Sequence, residues 1–236
     1  SCTRHEFRVW KKMRKIVFAL MAMSLMTVNF VNAQDSETKE ESKSNEFKRW
    51  QVRLRAVGVA PDESAKIGII GGDVAISNAL IPELDFTYFF TEHFAAELIL
   101  GTAKHDVKAV NTAAGNVDLG SVWLLPPTLT AQYHFYTSDK KVFKPYIGAG
   151  VNYTLFYNVK SGDVADVKYD NALGYAAQVG FDLMLDDTFF INVDAKRLFL
   201  STDVTVDASN LAPGLSIPAT VDIDPWLFGV GVGMKF

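Results

Sequence analysis

Apolar and polar residues alternate with period two through most of the chain after Phe47. Trp50, Val52, Leu54 and Ala56 take one phase against Gln51, Arg53 and Arg55, and Leu84, Phe86, Tyr88 and Phe90 oppose Glu83, Asp85 and Thr87. The pattern returns at 94–100, 129–135, 147–153, 173–182, 191–196 and 226–236. Successive side chains of a strand point to opposite faces, so each run predicts a strand with one apolar face. The runs make eight strands. Gaps at 91–93, 136–142 and 186–188 are short and polar, whereas those near 61–78, 104–118, 158–170 and 201–220 are long. Short turns at one end and long loops at the other predict an all-β, eight-stranded antiparallel up-and-down transmembrane barrel, with periplasmic turns and extracellular loops. A soluble lipocalin-like barrel is the competing architecture, with its apolar phase inside. The amount of aromatic surface in one phase, with charge opposite it in nearly every strand, favours lipid outside.

The opening residues carry a different signal. Lys11, Lys12, Arg14 and Lys15 surround Met13, an apolar run covers 16–31, and Val31-Asn32-Ala33 puts small residues at a cleavage position. This order predicts a cleavable secretory signal within 1–33 and a start at Met13. The run is short for a bilayer span and Asn29 interrupts it. The polar stretch 34–46 (QDSETKEESKSNE) reads as a disordered periplasmic leader, leaving 47–236 as the barrel. Removing 1–33 leaves 17 Lys and Arg against 26 Asp and Glu, a balance of −9 that disfavours nucleic acid as a partner. Cys2, the single cysteine, would go with it, so neither disulfides nor a cysteine-linked lipid anchor are expected.

Four segments together carry a family resemblance: LDFTYFFTEHFAAELIL (84–100), LLPPTLTAQYHF (124–135), KPYIGAGVNYTLFY (144–157) and GYAAQVGFDLMLDDTFFINVDAKRL (174–198). In this order they resemble the OmpW family of small outer-membrane barrels of Gram-negative bacteria. The resemblance implies a narrow, partly hydrophobic, porin-like channel for small hydrophobic molecules. It also implies that the last strand, ending in Phe236, is similar to the signal read by the barrel assembly machinery. The long loops match the family in position only.

The inward phase can be ordered by depth from the turns. Arg55 and Glu83 fall at one level and Arg53 and Asp85 at another, where antiparallel neighbours can pair. Glu97, Gln132, His134, Asp182, Asp194 and Lys196 join this lower layer. An isolated charge in a narrow lumen is costly, so the layer must be paired or wet. It reads either as a polar plug or as ordinary packing of a small lumen. Above it the same count places Val57, Val59, Val122, Leu124, Phe156, Leu198, Leu200 and Leu227, an apolar lining suited to a hydrophobic solute. Pro126 and Pro127, read as part of the fourth strand, and Pro145, read as opening the fifth, donate no ladder hydrogen bond. They mark a candidate lateral gate or a plain strand bend. Arg197 falls in the lipid phase near the outer interface, where it meets lipopolysaccharide phosphates or is turned inward by a bulge.

Catalysis needs a base beside a nucleophile. After the cleavage position the histidines are His93 in a turn, His105 at a loop edge and His134 in the lower lumen, with no serine and acid expected beside any of them. The reading is a non-enzymatic barrel, without cofactor and without a His or Cys cluster at metal-ligand spacing. A structural or adhesive barrel working through its loops is the rival function. There Asp163, Asp166, Asp203 and Asp207 would bind cations or partners, or simply be solvated.

Overall fold

The computed structural model describes residues 47–68, 71–136 and 142–236. The expected signal peptide, its start at Met13 and the polar leader 34–46 lie outside the described residues. Among the described residues fifteen strands follow in order: β1 Trp50–Ala60, β2 Ser64–Ile67, β3 Asp73–Ile76, β4 Ala79–Phe89, β5 Phe94–Gly101, β6 Ala103–Thr112, β7 Gly115–Leu125 and β8 Thr128–His134, then β9 Phe143–Lys160, β10 Asp166–Tyr169, β11 Ala172–Met184, β12 Phe189–Phe199, β13 Ser201–Asp207, β14 Ser216–Asp222 and β15 Trp226–Lys235. Eight of these, in the order β1-β4-β5-β8-β9-β11-β12-β15, pair antiparallel around a closed barrel, β15 returning to β1. They coincide with the eight runs of alternation.

Closure gives each of these eight strands a partner on both sides, the condition a sheet must meet in lipid. The outward phase carries Leu54, Leu84, Phe86, Leu98, Leu129, Val151, Val179 and Val232, all exposed. Aromatic pairs mark its two rims. Trp50–Tyr88 and Phe94–Tyr133 lie at the turn end, and Trp123–Tyr157 and Trp226–Phe228 at the loop end. Beyond the upper rim the outward positions become Lys104, Asp106 and Lys108, so lipid stops there.

Side-chain acceptors close two of the turns. Thr91 Oγ1 accepts from the backbone N–H groups of His93 and Phe94 at 3.2 and 2.9 Å. Asp186 Oδ1 accepts from those of Thr188 and Phe189, each at 2.7 Å, and these bonds hold its carboxyl below the usual carboxylate range.

The long gaps are not irregular, contrary to the reading of 61–78, 104–118, 158–170 and 201–220 as loops. β6 continues β5, β7 leads into β8, and β9 runs on as an 18-residue strand. With β3 they raise one side of a hood. β10-β13-β14-β2 form a separate four-stranded sheet opposite. Both contribute to one apolar core, with Val74, Val107 and Ala109 from the first side and Val204, Val206, Ile217 and Val221 from the second.

The prolines sit differently from expectation. Pro126 and Pro127 lie between β7 and β8 rather than inside a strand, and Pro145 is the third residue of β9, paired with Phe181. Two adjacent residues without N–H groups interrupt the strand between β7 and β8 while the chain keeps its course.

Candidate functional site

The lower lumen is filled by a charge network built on the two arginines of β1. The register sets Arg53 opposite Asp85 and Arg55 opposite Glu83. Across the lumen Arg53 reaches Glu97, in direct contact, and Asp182 at 3.5 Å. Arg55 lies 2.9 Å from Glu83, 2.7 Å from Asp85 and 3.4 Å from Asp194. The Arg55–Asp85 approach is an ion-pair distance whose angle is not that of a hydrogen bond. Lys196 covers the network from above, 3.3 Å from Glu83 and 3.7 Å from Asp194.

Glycines on the facing strand leave room for these cations. Arg53 pairs with Gly233 and Arg55 with Gly231. A methyl group at Gly231 would stand 2.7 Å from Arg55 Cγ and 2.1 Å from the Leu54 carbonyl oxygen.

Glu97 is the hub. Besides both arginines it accepts from Gln178 Nε2 at 2.9 Å, Thr130 Oγ1 at 3.3 Å and Gln132 Nε2. All ten residues assigned to the lower layer are buried: Arg53, Arg55, Glu83, Asp85, Glu97, Gln132, His134, Asp182, Asp194 and Lys196. The structure adds members that the sequence reading missed. Tyr146 donates to Asp194 Oδ2 at 2.8 Å, and Asn192 donates to Asp182 Oδ1 at 2.8 Å. Phe89 and Phe190, both fully buried, lie toward the turn end, with Lys235 Nζ 4.2 Å from the centre of the Phe89 ring. With Lys144 and Lys235 included, five basic side chains face five acidic ones in the buried lumen, a neutral set.

Above Lys196 the lining turns apolar. Leu198 follows it in the inward phase and Leu227 pairs with it. Val59, Val122, Leu124, Phe156, Leu198, Leu200 and Leu227 line a cavity of about 60 Å³, the lower chamber. Val57 is buried in the same core, while Leu124 and Phe156, paired across β7 and β9, are only partly buried. A second cavity of about 80 Å³, the upper chamber, lies within the hood and is lined only by Ala, Val, Ile and Leu, among them Val74, Val117, Val204 and Leu211. An entirely apolar cavity of this size, like the upper chamber, stays dry. An open groove of about 680 Å³ lies on the hood, lined by Ser77, Asp106, Lys108, Asp118 and Lys160, with both signs of charge present.

The wall beside the lower chamber is interrupted. The β5–β8 ladder ends at Ile99–Thr128 and resumes in β6–β7 at Ala103–Leu124, leaving 100–102 unpaired opposite 125–127. Thr102 bridges the break by a side-chain bond, Oγ1 donating to the Leu124 carbonyl at 2.9 Å. On its other side the β4–β5 ladder stops at Glu83–Gly101 and β3–β6 begins only at Ile76–Val107.

Arg197 points outward in an unbroken register, so no bulge turns it into the lumen. Its guanidinium pairs with Asp62 at 2.8 Å and stacks 5.0 Å from the Trp226 ring, which gives it a partner within the chain. The acidic loop residues also have local duties. Asp163 accepts from the Asp118 N–H, Asp203 from Thr220 Oγ1 and Asp207 from the Ser209 N–H. Asp166 pairs in the β10–β13 ladder with Asp207. His93 Nδ1 contacts the His134 carbonyl at 2.7 Å, and His134 Nε2 lies 3.0 Å from Gln132 Oε1. His105 belongs to β6 and contacts the Ser77 carbonyl oxygen, not its hydroxyl. Phe236 exchanges both backbone hydrogen bonds with Trp50, closing the seam.

Comparison with known proteins places this architecture. The model of the OmpW family matches residues 48–236. An outer-membrane protein of Sinorhizobium fredii is 48% identical over 189 residues, spanning 79% of this chain and 80% of the relative. Outer membrane protein W of Vibrio cholerae is 31% identical over 194 residues, 78% of this chain and 87% of the relative. The crystal structure of the outer membrane protein OprG from Pseudomonas aeruginosa superposes with a TM-score of 0.74 at 26% identity, covering 80% of this chain and 96% of that one.

Proposed function

The chain belongs to the OmpW family of outer-membrane β-barrels, and from that membership we propose that it conducts small hydrophobic molecules from the cell surface into the outer membrane. The observation that carries the reading is the vertical order of the lumen. Two small, mainly apolar chambers stand on a neutral, charge-paired plug, and the wall is unladdered beside the lower chamber. An apolar lining refuses ions, because stripping their water is not repaid there. The plug closes the straight path to the periplasm, which leaves the side.

The exit is the break at 100–102 and 125–127, where Pro126 and Pro127 provide no N–H to re-form a ladder. Opening it costs two side-chain bonds of Thr102, its hydroxyl donating to the Leu124 carbonyl and accepting from the Tyr157 hydroxyl at 2.6 Å, and no backbone pair between these strands. Pro145, paired within β9 and β11, lies outside this break and is not assigned to the gate. A relative in Pseudomonas aeruginosa that is 30% identical over 197 residues is named for a dibenzothiophene metabolism operon, and dibenzothiophene is an apolar heteroarene. Export through a signal within 1–33 and recognition of the last strand with Phe236 by the assembly machinery belong to the same proposal.

The chambers are too small for a solute of that size without displacing side chains. Leu124 and Phe156, the partly buried pair beside the break, are the residues to move. The test is uptake of a labelled hydrophobic solute by cells carrying wild type, Leu124→Asp, Phe156→Asp or no barrel, with folding checked by heat-modifiable gel mobility. Folded variants are expected to lose the uptake that wild type provides. Equal uptake with and without the barrel removes the conduit reading for that solute class and favours a structural or adhesive role for the hood.

A further inference from the structure

His105 gives the lower chamber a polar feature that transport of a plain hydrocarbon does not need. Its side chain is 4% exposed and lines the chamber with Val59, Leu198 and Leu227. Nδ1 lies 2.6 Å from the carbonyl oxygen of Ser77, which can only accept, so Nδ1 carries the proton. Ser77 is itself fixed to the same strand, its N–H donating to the Asp106 carbonyl at 3.0 Å and its Oγ accepting from the Asp106 N–H at 2.9 Å. The tautomer is thereby set from outside the chamber. Burial holds the imidazole below its usual range for protonation, so Nε2 is left as a bare lone pair.

That lone pair has no hydrogen-bond partner among the described residues. Of the other polar side chains in the lining, Thr154 donates its hydroxyl to Asn152 Oδ1 at 2.7 Å. Tyr169 stacks on Phe156, ring centres 5.4 Å apart, and burial pushes its phenol up to about 12. Both rings line the chamber with His105.

We propose that the lower chamber is a binding site for small apolar molecules bearing one hydrogen-bond donor, an alcohol, phenol or N–H heteroarene, whose donor is accepted by His105 Nε2. The inference rests on the conduit reading and narrows it to a substrate class. An acceptor that a bound solute covers without pairing disfavours an isosteric solute that lacks the donor. His105 lies next to the unladdered segment, so the selection falls at the way out.

Phenol and toluene differ by a hydroxyl in place of a methyl group and make the probe pair. Folded full-length barrel in lipid nanodiscs, with 15N-labelled histidine and labelled Leu methyls, would be titrated with each. Phenol is expected to move the His105 Nε2 resonance and the Leu198 and Leu227 methyls, and toluene the methyls alone. His105→Phe is expected to weaken phenol binding about ten-fold and toluene binding less than about two-fold. Equal weakening of both, or binding of phenol with a silent Nε2, overturns the donor selection and leaves the conduit standing. If neither solute moves the methyls, the conduit reading falls as well for this class. The wild-type Nε2 measurement decides even if His105→Phe does not fold.

Discussion

Replacing Glu97 by leucine tests the plug at its hub. Its carboxylate faces Arg53 and Arg55 and accepts from Gln178, Thr130 and Gln132, all buried. Leucine removes one negative charge from a lumen where five basic and five acidic groups balance, and leaves the two guanidiniums short of a partner. Breaking one side of a buried ion pair costs roughly 3–5 kcal/mol. The abandoned amide and hydroxyl donors add about 1 kcal/mol or more, without strict additivity. With a urea dependence of roughly 1–3 kcal/mol per molar, the unfolding midpoint should fall by at least about 1 M. The assay is urea titration of the barrel in lipid vesicles, read by heat-modifiable mobility and by tryptophan emission. Removing Arg53 as well, in Glu97→Leu/Arg53→Met, restores neutrality and should recover much of the loss, because apolar replacement of a whole buried pair is often close to neutral. A midpoint within about 0.3 M of wild type for Glu97→Leu would refute the reasoning, as would a double variant as unstable as the sum of the singles.

Arg197→Ala removes a partly exposed ion pair with Asp62 and a stack on Trp226, so it should cost no more than about 1–2 kcal/mol in the same titration, the loss shrinking in high salt. Gly231→Ala places a methyl 2.1 Å from a backbone oxygen of β1, and the barrel should fail to reach its heat-modifiable form while Val232→Ala on the lipid face still does. Asp186 has its folded pKa lowered by two backbone N–H donors, so its contribution is present above the unfolded value and is lost as pH falls through the folded one. Wild type and Asp186→Asn should therefore differ in unfolding midpoint at neutral pH and converge in acid.

The barrel was legible because its two solvents are so different. Lipid outside and paired charge inside impose period two on every strand, and counting from the turns then fixes depth. Two kinds of residue escaped that reading. Phe89–Phe90 and Phe189–Phe190 are doublets in which one ring faces lipid and the other the lumen, so alternation is silent at the turn end. Tyr146, Gln178 and Asn192 are uncharged and stand in the inward phase, where a search for charge passes over them. The hood was misread for another reason. Ala103, His105, Val107 and Ala109 alternate with Lys104, Asp106 and Lys108, and Val204 and Val206 with Asp203 and Thr205. The period was there, but strands of about 9–11 residues suffice for a bilayer, and the charged phase suggested solvated loops. Their polar face meets water while their apolar face meets the core of the hood. His105 looked like a residue at a loop edge for the same reason.

The period of two leaves an ambiguity that lipid cannot resolve. Sliding β1 past β4 by two residues keeps every apolar side chain outside and every polar one inside, so the membrane does not distinguish the slipped barrel from the native one. The arginines do. After such a slip one way, Arg55 would face Ile81 in place of Glu83 and be carried into the apolar chamber. Their native partners come from β4, β5, β11 and β12, and their steric room comes from β15, so the lumen becomes neutral only when these strands have arrived in step. On this argument the buried charge network would act as a combination lock, disfavouring misaligned closures that hydrophobicity alone would accept.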